Sequence, residues 1–357
     1  MLWHVPAAET PSGPVTDEDL QLATRVSLII PAYNEAKRIR PLLLSLRDQD
    51  VQPGEIRLVD DGSTDETAAI AYAEGLVVLS TEQLNLDWVG KSRACWHGAQ
   101  TAGGDWLLFL DADTRLDQPD SLRRILRTFA KLGGRGGLSL QPHHSIIRLY
   151  ESLSMVFNIV VMAGMGVFTP WGGRLHGIGL FGPCLICDRC DYFSVGGHAA
   201  IHNQIMDDLA LGRLFQQFNL PVFNRSGRGT VSFRMYPEGF LSLFAGWTKN
   251  FASGATATHH LVLSLLILWI CSGYSTMTLL IKAILSDQGI WLITAVFFYI
   301  FYAVLIGRLG NLCGRFPIFL PLFFPFLLIF FTLVFIRSLI QTRQLHTVRW
   351  RGRNIRP

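Results

Sequence analysis

The sequence predicts an α/β domain on a mostly parallel sheet, followed by helices that cross a membrane. Three observations carry that prediction. Short β-rich apolar runs alternate with helical patterns from Val26 to Leu110. Acidic residues stand directly after two of these runs, at Asp60-Asp61 and at Asp111 and Asp113. Charged residues are frequent up to about Arg234 and scarce from Leu261 to Phe335, where apolar runs are long enough to span a bilayer. Strands alternating with helices imply parallel strands joined by crossovers.

The chain has 357 residues, 50% of them hydrophobic, and a formal net charge of +4. That length suits one large domain or two modest ones. Residues 1–24 carry Pro6, Pro11, Pro14 and several acids but no apolar core segment, and read as a flexible leader with a short helix over Thr16 to Ala23. No signal peptide is visible, so the domain that follows is expected in the cytoplasm. Cys95, Cys184, Cys187, Cys190, Cys271 and Cys313 are then not expected to pair. Cys184-x-x-Cys187-x-x-Cys190 has part of an iron–sulfur spacing but no fourth ligand nearby, and reads as small buried hydrophobes.

The first strand is Val26 to Ile30, stopped by Pro31. Arg38 to Leu46 has helical periodicity, with Ile39, Leu42, Leu43 and Leu46 on one face. The second strand, Ile56 to Val59, ends in Asp60-Asp61-Gly62-Ser63-Thr64-Asp65, where Thr64 or Asp65 caps a helix over Thr67 to Tyr72. Leu76 to Leu79 is a third strand, Asn85 to Gly98 leads into a helix, and Leu107 to Leu110 is a buried strand ending in Asp111-Ala112-Asp113. Ligands of open α/β sheets bind off the carboxyl ends of the strands. Two carboxylates at such an edge are costly unless a cation neutralises them. A hard divalent ion carrying a diphosphate does so. These residues therefore point to a metal-dependent nucleotide-sugar site, against the plainer reading of a strand-terminal Asp turn. Gly90-Lys91-Ser92 has the look of a triphosphatase phosphate loop, but that motif needs glycine where Asn85 stands. Lys91 remains a candidate diphosphate contact, because it lies between two acidic strand ends.

Farther on, Gly133 to Gly137 is a turn, residues 146–168 read as an interfacial amphipathic helix, and Trp171 to Leu180 is a glycine-rich loop. Asp207-Asp208 opens a helix that continues through Leu209, Leu211 and Leu214. The helix dipole stabilises acids there. Alternatively, one of the pair is a general base whose pKa is raised by burial and by its neighbour. Tyr236, Trp247 and Lys249 either close over an anionic nucleotide or anchor at a membrane interface.

In order and spacing, Val26 to Glu35, Val59 to Asp65, Asp111-Ala112-Asp113, and Asp207-Asp208 with Leu211-Gly212 resemble the family 2 glycosyltransferases, over roughly residues 25–258. Within that family, Trp88 to Ser92, Gly182-Pro183-Cys184, Asp191-Tyr192-Phe193, Gly196-Gly197-His198, Met206 to Gly212 and Gly246 to Phe251 are most similar to the bacterial group acting on the carotenoid acid 4,4'-diaponeurosporenoate. The resemblance implies a GT-A (Rossmann-like) fold and an inverting transfer from a UDP-sugar, with glucose as the expected sugar. It implies that Pro31, Ala32 and Glu35 line the nucleotide pocket, that Asp60 or Asp61 bonds the uracil, and that Lys91 lies near the ribose or diphosphate. Asp111 would face the ribose or sugar, and Asp113, with Asp111 beside it, would ligate Mg²⁺ or Mn²⁺. Asp208 matches the base of inverting members, and Asp207 stands where the family frequently has Glu. The Gln/Arg-x-x-Arg-Trp motif of polymerising members is not present; Gly246 to Asn250 stands roughly in its place, which argues against a processive polysaccharide synthase.

The expected division is a leader over 1–24, a catalytic domain over 25–258, a membrane region over 259–341 and a basic tail over 342–357. His260 to Leu285, Gly289 to Ile306 and Pro317 to Ile340 supply two or three spans. Basic loops prefer the cytoplasm, which places Arg308 and Arg315 inside along with the tail arginines. Three full spans would put that tail outside, so the two criteria conflict. The tail arginines read as a membrane-surface patch rather than a nucleic-acid site. A membrane region suits a lipid acceptor, whose apolar body stays in the bilayer. A carotenoid acid is the expected acceptor; polyprenyl phosphate, hopanoid and diacylglycerol are alternatives within the same fold. A transport or scaffold protein that only binds nucleotide is the rival from another class; against it, Lys282 is almost the only charge within the apolar segments.

Overall fold

The computed structural model describes all residues except 1, 3, 83, 85–87, 173–178, 205, 287–288, 345–347, 351–352 and 356–357. Asn85, the central part of the 171–180 loop, Ile205, Asp287 and the tail arginines Arg351 and Arg356 therefore lie outside the described residues. In chain order the first half runs α1 (Asp17–Thr24), β1 (Val26–Ala32), α2 (Arg40–Arg47), β2 (Glu55–Asp60), α3 (Thr67–Ala73), β3 (Val77–Ser80), α4 (Lys91–Thr101), β4 (Trp106–Leu110), β5 (Thr114–Leu116), α5 (Ser121–Lys131), β6 (Gly137–Gln141) and β7 (His143–His144). Then come α6 (Met155–Gly164), β8 (Cys184–Asp188), α7 (Arg189–Ser194), α8 (Asp207–Gln217), β9 (Val222–Ser226), β10 (Val231–Phe233), α9 (Phe240–Ala257), α10 (His260–Leu285), α11 (Gly289–Cys313) and α12 (Phe324–Gln344). A small hairpin, β11 (Val348–Trp350) and β12 (Arg353–Ile355), follows.

The chain forms two compact units, one of Pro6–His143 with Gly179–Arg234, the other of Met1–Val5, His144–Ile178 and Met235–Pro357. These are not the sequence-drawn segments: the stretch around α6 and the residues from Met235 onward group with the apolar helices rather than with the sheet.

The first unit is built on a seven-stranded sheet of order β3-β2-β1-β4-β8-β6-β9. β3, β2, β1 and β4 are parallel to their neighbours, as is β6 to β9. Only β8 runs against the others, antiparallel to both β4 and β6. The expected mostly parallel α/β sheet is thus present, with one reversed strand inserted. Alternation along a strand sends successive side chains to opposite faces. Leu28 and Ile30 of β1, with Leu108 and Leu110 of β4, join a core that includes Leu42 and Leu46 of α2 and Leu122, Ile125 and Phe129 of α5. Ile29, Leu107 and Phe109 point the other way, into a core with Ala94 and Ala99 of α4 and Leu211 and Phe215 of α8. Two covered faces explain why β1 and β4 read as unbroken apolar runs. Because β1, β2 and β4 are parallel, their carboxyl ends, carrying Glu35, Asp60 and Asp111, share one sheet edge.

The second unit is helical. Three helices are long and apolar enough to cross a membrane: His260–Leu285, Gly289–Cys313 and Leu320–Gln341. The helix expected to be amphipathic is shorter. Its α-helical part is α6, and Met155, Val156, Phe157, Asn158, Ile159, Met162 and Ala163 are all buried. A helix apolar on all sides is a buried helix, not an interfacial one. Trp247 is likewise core rather than belt: it is 7% exposed, stacks on Phe157 at 4.7 Å, and donates from Nε1 to Ser154 Oγ at 3.0 Å.

Candidate active site

The loops after β1 and β2 are tied together by local hydrogen bonds. Asn34, with φ of 54°, donates its backbone N–H to Ser63 Oγ at 2.9 Å and accepts from Thr64 N–H at 2.8 Å. Glu35 N–H donates to Thr67 Oγ1 at 2.8 Å. Asp65 accepts from Ala36 N–H at 3.1 Å and from Thr67 N–H at 3.0 Å, so it fastens the first loop to the start of α3; the N-cap position is Glu66, without a side-chain cap bond, and not Thr64 or Asp65 as expected. Pro31 and Ala32 end β1, and Ala32 is paired in register with Asp60. Asp60 is half-buried and accepts from the Ser63 hydroxyl.

Asp61 is different. It is 1% exposed, and its carboxylate accepts from Thr81 Oγ1 at 2.9 Å, Gly90 N–H at 2.8 Å, Arg93 Nε at 2.8 Å and Arg93 Nη2 at 2.8 Å.

The third acidic strand end is joined to the start of α8. Lys91, the first residue of α4, places Nζ 2.9 Å from Asp111 Oδ1 and 3.4 Å from Asp208 Oδ2, and donates to the Gly182 carbonyl at 3.3 Å. Burial works against the ammonium charge, but Asp111, Asp208 and Asp207 outweigh it and hold the Lys91 pKa well above its usual value. Asp208 moves the other way. Burial first and the Asp207 charge second, opposed by Lys91, push its carboxyl up to about 8. Asp207 accepts from Ser92 Oγ at 3.2 Å and from the Asp208 N–H at 3.1 Å, which is the helix-start role its position suggested.

Two neighbours complete the cluster. Gly182 leaves room for Asp208: a Cβ there would lie 1.6 Å from Asp208 Oδ2. His198 is buried, its Nδ1 2.9 Å from the Tyr192 hydroxyl, and burial pulls its pKa down to about 4 so that it is neutral at pH 7. His198, Asp207 and Asp208 each offer a ligand atom within 4.8 Å of the others.

Of the residues singled out in the sequence, Lys91, Asp111, Asp207 and Asp208 meet in one place. Pro31, Ala32, Glu35 and Asp60 lie in the joined loops at the neighbouring strand ends. Asp113, three residues past the end of β4, is half-buried, and its carbonyl accepts from Arg234 N–H at 3.3 Å. Arg93 escaped the sequence reading, although its place in the first turn of α4, two residues from Lys91, offered a signal. Gly182 was visible only as a member of a motif. Cys184 and Cys187 are buried on β8, whereas Cys190 is exposed; all three are free thiols.

The donor set off β4 fits a hard divalent ion. Asp111 and Asp113 offer carboxylate oxygens, both side chains are partly open, and soft ligands are absent from the pair.

Residues 27–136 match the family described as Glycosyl transferase family 2. The chain is 35% identical over 329 residues to a 4,4'-diaponeurosporenoate glycosyltransferase of Staphylococcus aureus strain USA300, a match covering 92% of this chain and 87% of the relative. The protein of the same name from strain MRSA252 is 34% identical over 330 residues, with 92% and 87% covered. Among solved structures, the mannosyltransferase PcManGT from Pyrobaculum calidifontis, in complex with GDP-Man and Mn²⁺, superposes with a TM-score of 0.50 at 15% identity, covering 90% of this chain and 87% of that one. Glucosyl-3-phosphoglycerate synthase from Mycobacterium tuberculosis, in complex with Mn²⁺, UDP and glucosyl-3-phosphoglycerate, gives 0.48 at 20% identity, covering 71% and 88%. The sheet, its acidic edge and the likeness along nearly the whole chain converge: this protein is a glycosyltransferase of family 2, with a GT-A fold.

Proposed function

We propose that the enzyme moves glucose from UDP-glucose, with inversion, onto a carotenoid acid of the diaponeurosporenoate kind held in the cell membrane. The observation that carries this reading is the Lys91 ammonium, which joins the acidic end of β4 to the acidic start of α8. The name of the Staphylococcus relatives supports the acceptor, and three apolar helices support a multi-pass membrane location. In this reading the catalytic unit faces the cytoplasm, where nucleotide sugars are made.

Pro31, Ala32 and Glu35 line the nucleotide pocket. Of the two candidates for the uracil, Asp60 is the better, because Asp61 is closed off by its own donors. Asp113 with Asp111 would hold Mg²⁺ or Mn²⁺, which when bound supplies positive charge against the departing diphosphate. Lys91 adds a second cation beside Asp111.

The acceptor carboxylate is already ionised near neutrality. One of its oxygens attacks the anomeric carbon, the bond from that carbon to the β-phosphate oxygen breaks, and the electron pair leaves with UDP. No proton has to be removed. Asp208, pushed up to about 8, is a neutral acid at pH 7 and donates a hydrogen bond that orients the acceptor. For a hydroxyl acceptor the same residue would instead act as general base.

The test is to express the chain in one host that makes diaponeurosporenoate and one that does not, and to analyse extracted lipids. A glucosyl ester of the carotenoid acid is expected in the first host only. A new glucosylated diacylglycerol, hopanoid or polyprenyl phosphate in both hosts would replace the acceptor assignment.

A further inference from the structure

We infer that Asp61 is a positioning residue that acts through the Gly90-Lys91 turn, fixing the backbone from which Lys91 reaches Asp111 and Asp208. The inference rests on reading the Lys91 cluster as the site of sugar transfer.

The two oxygens of Asp61 hold different things. Oδ1 accepts from both Arg93 nitrogens and from Thr81, and Oδ2 accepts from the Gly90 N–H. Gly90 and Arg93 flank Lys91, so one carboxylate grips the chain on both sides of it. The grip is charge-assisted and buried, the kind of contact that fixes geometry rather than adjusting to a ligand. Four consecutive residues then address four carboxylates from three places in the fold. Gly90 and Arg93 bind Asp61 after β2, Lys91 binds Asp111 after β4 and Asp208 on α8, and Ser92 binds Asp207.

The turn itself needs holding. Gly90 sits at φ 99° and ψ −165°, a conformation open almost only to glycine. Nothing lies within 4 Å of where a Cβ would be, so the dihedral, not crowding, excludes other residues. Gly90 is buried and its N–H is held by Asp61 Oδ2, so the carboxylate is one of the contacts that keep the turn in place. A carboxylate shut behind these donors at 1% exposure presents no face to a nucleobase.

The experiment is a double-mutant cycle on the full chain in detergent, following UDP release from UDP-glucose, with the unfolding midpoint measured on every variant. Asp61→Asn is combined with Lys91→Met. Gly90→Ala is a second route to the same turn that loses no buried contact, and it carries the test if Asp61→Asn does not fold. Each of the two is expected to lower kcat about tenfold in the wild-type background but less than about twofold in the Lys91→Met background, with KM for UDP-glucose within about twofold. Equal losses in both backgrounds would overturn the inference, since Asp61 would then act independently of Lys91. A raised KM with kcat preserved in Asp61→Asn would also overturn it, making Asp61 a donor contact. Asp113→Asn separates the two levels of the account. If it leaves UDP release intact, the reading of the site fails. If it abolishes release while the cycle is additive, only the positioning role fails.

Discussion

Two acidic centres in the sheet-bearing unit show different charge balances. At the start of α1, Asp19 is met by two guanidiniums: Arg127 Nη2 lies 2.7 Å away and Arg123 Nη1 3.7 Å away. Thr16 closes the far side, with its N–H donating to Asp19 at 2.9 Å. The Arg127 hydrogen bonds outweigh burial and hold the Asp19 carboxyl at about 2. At the Lys91 centre one ammonium serves both Asp111 and Asp208, with Asp207 beside them, and Asp208 rises to about 8. At the first centre two guanidiniums face two carboxylates, since Arg123 also pairs with Asp50 at 2.8 Å, and Asp19 is locked in its charged form by Arg127 and serves the fold. Where acids outnumber cations, one of them is neutral near pH 7 and available for chemistry.

The largest expected effects come from breaking each centre. Asp19→Ala leaves Arg127 without its carboxylate, while Arg123 keeps Asp50 at 2.8 Å, and should destabilise the sheet-bearing unit by about 3 kcal/mol, read as a lowered denaturant midpoint. Asp113→Asn should lower UDP release from UDP-glucose by about 10²-fold or more with little change in the unfolding midpoint. An unchanged rate would remove the metal role from this residue.

A middle-sized effect tests the geometry of the deficient centre. Gly182→Ala puts a methyl where the Asp208 carboxylate now sits, 1.6 Å from Oδ2. The carboxylate must swing away from Lys91, and turnover should fall roughly tenfold, about 1.4 kcal/mol in the barrier. Asp208→Asn keeps a hydrogen-bond donor and removes only the ability to ionise. With a carboxylate acceptor its loss should stay below about tenfold; with a hydroxyl acceptor it should reach about 10² or more.

The pH profiles spread their effects over a titration range, and here the two centres differ in sign. Asp19 has a depressed pKa, so its stabilisation, about 2 kcal/mol, is fully present above its ordinary value of 3.8 and is lost as pH falls toward about 2. Unfolding midpoints of wild type and Asp19→Asn should converge across that window. Asp208 has a raised pKa, and its neutral form predominates below about 8. Transfer to a carboxylate should decline as pH rises through that value. A rise there would indicate general-base chemistry and a hydroxyl acceptor.

Much of the fold was legible because its signals are local. β1, β2 and β4 are short apolar runs, and the acids that end them follow directly in the chain. Both faces of β1 and β4 are covered, so no alternation hid them. His260 to Leu285 was legible from hydropathy alone. What was not legible depends on partners far along the chain. Nothing in Cys184 to Asp188 announces a reversed strand; its direction follows from lying between β4 and β6. Residues 146–168 have enough polar interruption to suggest a surface helix, yet α6 is buried, with Asn158 satisfied by the Ser154 carbonyl at 3.0 Å. Asp61 and Asp60 are adjacent and chemically identical, and it takes Thr81, Gly90 and Arg93, 20, 29 and 32 residues away, to distinguish them. The Lys91 bridge to Asp208 spans 117 residues and leaves no periodic trace.

The most direct measurement is incorporation of radiolabelled glucose from UDP-glucose into extracted membrane lipid by the purified full-length protein supplied with diaponeurosporenoate and Mn²⁺. Label in a carotenoid ester, abolished by chelator and restored by Mn²⁺, is the predicted result. UDP-glucose left intact by wild-type protein, with and without the ion, would contradict the account at its centre.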